Sequence, residues 1–143
     1  MCIRKILRKF NSSREEKSRK WEENLLELGF NKISFPILIK NGYDLNLVYF
    51  DEFTSDPDIY YWQFPIDCEL IDVNGYVWSW IYDDRNKTNI PGQFKKGIAV
   101  DELKSLMHLY FKSKRIKVDN ITQNENLTTI DQVFKQFEED YKR

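Results

Sequence analysis

Two Asn-Gly steps, Asn41-Gly42 and Asn74-Gly75, each lie between two runs of β-favouring residues. Asn and Gly tolerate positive φ better than other residues, and a type I′ hairpin loop needs it at both central positions. The flanking runs are 33–40 with 43–51, and 67–73 with 76–83. The pattern predicts two antiparallel hairpins in the middle of the chain. With two-residue loops Leu38 would face Leu45 and Phe35 would face Val48. In the second hairpin Val73 would face Tyr76 and Ile71 would face Trp78.

In the first hairpin this register gives one apolar face, made of Ile33, Phe35, Ile37, Ile39, Val48 and Phe50. Pro36 cannot donate to a ladder, so its strand should be an edge or carry a bulge. In the second, one face would hold Ile71, Val73, Tyr76, Trp78, Trp80 and Tyr82, and the other Cys68, Leu70, Val77 and Ile81. Apolar residues on both sides imply a central position in the sheet.

Helical signals flank this middle. Ser13 and Glu16 form a capping box for a helix from about residue 14 to Leu28, closed by Gly29. Its apolar stripe is Trp21, Leu25 and Leu28, with Glu15–Arg19 and Glu16–Lys20 as i,i+4 pairs. A second helix is expected over 101–114, with Leu103, Leu106, Met107 and Tyr110 turned inward. A short edge strand should follow at 115–119. The last helix opens at Thr128 or Thr129 with Gln132 completing a box, and Ile130, Val133, Phe134, Phe137 and Tyr141 repeat at helical spacing. Between the hairpins, 51–58 reads as an acidic loop. Asp83 to Gln93 reads as a polar loop, with a type II turn at Ile90-Pro91-Gly92-Gln93. Strands in the middle and helices at both ends make this an α+β chain, the helices packed on one face of a mostly antiparallel sheet.

At 143 residues the chain fits one domain, 1–143, with 1–12 a loosely attached leading helix. Charged residues are 31% and nearly balanced, at a formal net charge of −1. That balance disfavours electrostatic capture of nucleic acid, and the basic stretch 112–117 reads as cations at a helix C-terminus. Cys2 and Cys68 form no disulfide framework, which suits a reduced, cytoplasmic protein. The sequence holds no apolar window long enough for a membrane span and no secretory leader. Residues 3–10 carry Ile3, Ile6, Leu7 and Phe10 on one helical face and Arg4, Lys5, Arg8 and Lys9 on the other. A membrane-surface anchor is the alternative reading of that segment. A single alanine, Ala99, amid abundant Lys, Asn and Ile suggests an AT-rich bacterial genome.

Catalytic patterns are sparse. His108, the only histidine, shares a helix face with Lys104 and Lys112, with no carboxylate placed to orient it. One His and two distant Cys do not make a usual zinc site, and phosphate-cradling glycine loops are absent. Asp101 and Glu102 read as first-turn acids complementing the helix dipole. The remaining chemistry lies in carboxylates. Asp51, Glu52, Asp56 and Asp58 cluster in one segment, and Asp83 with Asp84 ends a strand. Without the oxygen spacing and glycine of an EF-hand loop they do not form that calcium site. A carboxylate- or metal-dependent small enzyme using Asp51, Asp56, Asp83 and Asp84 is the competing class.

Aromatic residues are 15% of the chain, and Tyr60, Tyr61 and Trp62 directly follow the acidic segment. Trp and Tyr beside carboxylates make a docking surface for a basic protein. The expected function is therefore a non-enzymatic protein-binding module, needing no cofactor or metal. Concretely, it is a small bacterial inhibitor or immunity-type protein that neutralises a basic toxin or nuclease. The contact residues would be Asp51, Glu52, Asp56, Asp58, Tyr60, Tyr61, Trp62, Asp83 and Asp84.

Overall fold

The computed structural model describes residues 16, 19–54, 68–86, 88–116, 121 and 123–141, with the backbone alone at 53 and 54. Helix α1 covers 19–27. A 3₁₀ turn at Phe30–Lys32 leads to β1 (Ile37–Asn41), β2 (Asp44–Val48) and a short helix α2 (Phe50–Thr54). Strands β3 (Glu69–Asp72), β4 (Tyr76–Asp83) and β5 (Thr88–Gly97) precede α3 (Val100–Ser113) and α4 (Ile130–Tyr141). The five strands form one antiparallel sheet in the order β2-β1-β3-β4-β5. The fold is α+β, with helices at both ends of the described chain.

Alternation along β1 builds two apolar layers. Leu38 points into a layer with Leu45, Leu47, Ile71 and Val77, covered by Leu103, Met107 and Phe111 of α3 and by Val133, Phe134 and Phe137 of α4. Ile37 and Ile39 point the other way, joining Val48, Leu70, Cys68 and Trp80 beneath Leu25, Phe30 and Ile33. The terminal helices therefore do not share a face, as expected from the sequence, but divide between the two. The physical reason is the sheet itself: β1, β3 and the end of β2 carry buried apolar residues on both sides, and each side needs a cover. The first-hairpin face foreseen from Ile33, Phe35, Ile37, Ile39, Val48 and Phe50 lies within the α1 layer.

The bends differ from the expected turns, the first in register and the second in length. In the first hairpin Leu38 opposes Leu47 and Asn41 opposes Asp44, so the loop is Gly42-Tyr43. Only Gly42 has positive φ (61°), the pattern of a type II′ loop, not type I′. A shift of two residues keeps every side chain on its face, which is why the core face survives the error. The second hairpin is a different case. Leu70 opposes Trp78 and Ile71 opposes Val77, leaving a three-residue loop, Val73-Asn74-Gly75, with Gly75 at φ 84°. This slip of one residue reassigns faces. Trp78 and Trp80 lie with Leu70 and Cys68 in the α1 layer, whereas Ile71 and Val77 face α3 and α4.

Other expectations need correction. Pro36 falls just before β1, where its missing N–H costs no ladder bond, and β1 lies inside the sheet. Asp51 and Glu52 sit in α2, not in a loop. Ile90-Pro91-Gly92-Gln93 is no turn but part of β5, an edge strand where proline is tolerated. The pairing of β4 with β5 shifts register between Trp78 and Trp80, and the Gln93 N–H donates to Ser79 Oγ at 2.7 Å in that stretch. Arg115 and Ile116 are not in a strand, and 117–119 lie outside the described residues. Residues 3–10 and the Ser13 cap also lie outside them, while Glu16 pairs with Lys20 at 3.8 Å. Among the described residues no helix is long and apolar enough to cross a membrane.

Helix α4 begins as its sequence indicates. Gln132 N–H donates to Thr129 Oγ1 at 3.2 Å, and the Gln132 side-chain oxygen accepts the Thr129 N–H at 3.2 Å. Thr129→Ala removes half of this reciprocal cap and should cost about 1 kcal/mol. Urea denaturation of the variant checks this, with an unchanged m-value expected because the surface exposed on unfolding is the same.

Candidate functional site

The sheet register places the acidic residues. β2 runs towards the end of the sheet where Val48, Ile37, Asp72 and Tyr76 lie side by side, and α2 follows β2 there. Phe50 holds α2 down against Phe35, ring centroids 5.1 Å apart, which leaves Asp51 exposed in its first turn. The Tyr49 N–H donates to Glu52 Oε1 at 3.4 Å. The Tyr49 hydroxyl is pushed up to about 12, chiefly by burial. A hydrogen bond with Glu138 and the charges of Glu138, Glu52 and Asp51 add to the shift.

Glu138 is thus a third acid at this corner, and it was not foreseen. Its signal was present in the sequence: Glu138-Glu139-Asp140 occupy the end of α4, whose last turn holds no basic residue. Acids are unfavourable at a helix C-terminus, so such a run calls for another reason to exist.

Asp83 and Asp84 lie elsewhere. β4 carries them to the opposite end of the sheet, where the β4–β5 bend sits. Asp83 accepts the Arg85 N–H at 3.0 Å and Asn86 Nδ2–H at 2.9 Å, so its carboxylate shapes this bend. The Asn86 hydrogen bond, ahead of the Arg85 contacts, holds its carboxyl below the ordinary range. The length of β4 from Tyr76 to Asp83 is about 23 Å at 3.3–3.4 Å per residue. Asp51 and Glu52 are therefore not brought together with Asp83 and Asp84: they occupy diagonal corners of the sheet. Asp56, Asp58, Tyr60, Tyr61 and Trp62 lie outside the described residues.

Among the described residues, aromatic side chains stand exposed at the α2 end of the sheet. Tyr76 is 47% and Phe94 53% exposed. Phe94 meets Tyr76 and Trp78 edge-on at 5.8 and 5.4 Å, forming a rigid trio on the outer two strands. Buried Asp72 holds the inner part of it, accepting the Tyr76 N–H at 3.1 Å and Trp78 Nε1–H at 3.4 Å. Lys95 and Lys96, beside Phe94, are engaged by Glu69 at 3.2 Å and Glu102 at 2.6 Å. From Val48 to Tyr76 is three strand spacings, about 15 Å. Phe94 was legible as a lone aromatic within the polar run Gln93 to Lys96.

Among the described residues no three His, Cys, Asp or Glu side chains are grouped to hold a metal ion. His108 is exposed on α3, and Cys68 is buried. An open cleft of about 490 Å³ lies by the start of α3, lined by Ala99, Asp101, Lys104, Glu125 and Leu127, away from the predicted contact residues. Comparison with protein-family models, curated proteins and solved structures gave no match.

Proposed function

We propose that this chain is a non-enzymatic protein-binding module, an inhibitor or immunity-type protein that neutralises a basic toxin or nuclease domain. The observation that carries the reading is the pair of exposed rings Tyr76 and Phe94, with half-buried Trp78 edge-on to Phe94, at the same end of the sheet as Asp51, Glu52 and Glu138. Aromatic side chains on a sheet supply contact area at little conformational cost, and the acids at the same end of the sheet supply attraction for a cationic partner. A standard interface of about 800 Å² per partner is roughly 30 Å across, wide enough to cover both. Asp83 and Asp84, at the far end, fall outside this footprint.

The test starts with recovery of the partner from the native host and measurement of its affinity for the whole chain. Tyr76→Ser with Phe94→Ser is expected to weaken binding by at least roughly 30-fold, the effect of losing about 2 kcal/mol at a hot spot. Asp51→Lys with Glu52→Lys should chiefly slow association and flatten its salt dependence. Affinity unaltered by both pairs of changes would reject this face, and turnover of a small substrate by the pure chain would reject the binding class.

A further inference from the structure

We infer that Asn41 is a site of spontaneous deamidation in the folded protein, while Asn74, in an almost identical sequence, is shielded by the fold. Both Asn-Gly steps are followed by tyrosine, Tyr43 and Tyr76, so local sequence nearly cancels in the comparison. Glycine removes the Cβ that would hinder its backbone nitrogen from approaching the Asn side chain. The Gly42 nitrogen attacks Asn41 Cγ, a carbon–nitrogen bond forms, and the Cγ–Nδ2 bond breaks. Ammonia departs with the amide proton. Water then opens the succinimide at either carbonyl, leaving aspartate or isoaspartate and one added negative charge.

What differs is how firmly each Asn is held. Asn74 Nδ2 donates to Ser34 Oγ at 2.9 Å, and its backbone N–H donates to Asp72 Oδ1 at 2.9 Å. The nucleophile is tied as well: the Gly75 N–H donates to the Asp72 carbonyl at 2.9 Å. Asp72 is fully buried and Gly75 lies against Ile130, so freeing this step means opening the bend and part of the α4 contact. Asn41 is exposed, and its side chain makes no hydrogen bond with a described residue. Gly42 has no atom within 4 Å of where a Cβ would stand. The ladder closes on the Asn41–Asp44 pair, at the tip of a five-residue strand beside the sheet edge, where opening costs least.

The experiment incubates the whole chain in mildly alkaline buffer and follows both sites by peptide mass mapping, with isoaspartate confirmed by enzymatic methylation. One arm is folded and the other unfolded in urea. Asn41 is expected to convert at least about tenfold faster than Asn74 in the folded arm, with the two rates converging in urea. Asn41→Gln should abolish the early acidic species on ion exchange. Equal folded rates, faster conversion of Asn74, no folded conversion at Asn41, or a difference that persists in urea would each overturn the inference.

Discussion

Phe137→Ala should lower the free energy of unfolding by about 4 kcal/mol, within the 3–5 kcal/mol typical of truncating a buried phenylalanine. Phe137 is fully buried where α4 crosses α3, with Phe111 at 5.4 Å, Tyr110 at 5.8 Å and Tyr141 at 5.4 Å between ring centroids. Removing it leaves a void that these rings cannot close without moving two helices. Phe137→Leu keeps most of the volume and should lose less than half as much. Urea or thermal denaturation reads both. A loss under about 1 kcal/mol for the alanine variant would mean that α4 is not part of the layer covering Leu38 and Ile71.

Asp72→Ala is the second large effect, at about 3 kcal/mol. Its carboxylate accepts the N–H groups of Asn74 and Tyr76 and the indole N–H of Trp78 at 2.9, 3.1 and 3.4 Å. Asp72 is itself buried but its three hydrogen bonds are only partly so. Truncation leaves three donors without their acceptor, and each costs about 1 kcal/mol. Asp72→Asn keeps one acceptor oxygen and should fall between the wild type and the alanine variant. Because this carboxylate fixes the inner edge of the aromatic trio, the alanine variant should also bind the proposed partner more weakly than its stability loss explains.

The same residue shows what the chain's sequence did and did not disclose. Asn74-Gly75 marked the place of the second bend, but Val73 looked like the last apolar residue of a strand. Nothing in the alternation distinguishes a two-residue loop from a three-residue one, and that difference is set by hydrogen bonds to buried Asp72. The one-residue slip then moved Trp78 and Trp80 to the other side. At the first bend the slip was two residues, so the core face was read correctly from the wrong turn. The Thr129–Gln132 box and the stripes of α3 and α4 are local, and local patterns are the ones a sequence displays most openly.

Ile90-Pro91-Gly92 misled for a related reason. Its residues are turn formers, and only the strand order reveals that β5 is an edge where they fit. The acidic corner beside α2 is legible in the sequence only in part. Asp51 and Glu52 lie at a corner with Glu138, a residue 86 positions later in the chain, and only packing of α4 near β2 brings them together. Asp83 and Asp84 looked like members of the same cluster because charge has no address in a sequence. The length of β4 separates them.

The docking reading rests on one end of the sheet meeting a partner. Amide hydrogen exchange, measured on the chain alone and with the proposed partner once it is recovered from the native host, addresses that directly. Slowed exchange is expected at Tyr49 to Glu52, at Tyr76 to Trp78 and at Gln93 to Gly97, with the far bends at Gly42 and Asp84 unchanged. Protection appearing at those far bends, and none at Tyr76 or Phe94, would contradict it.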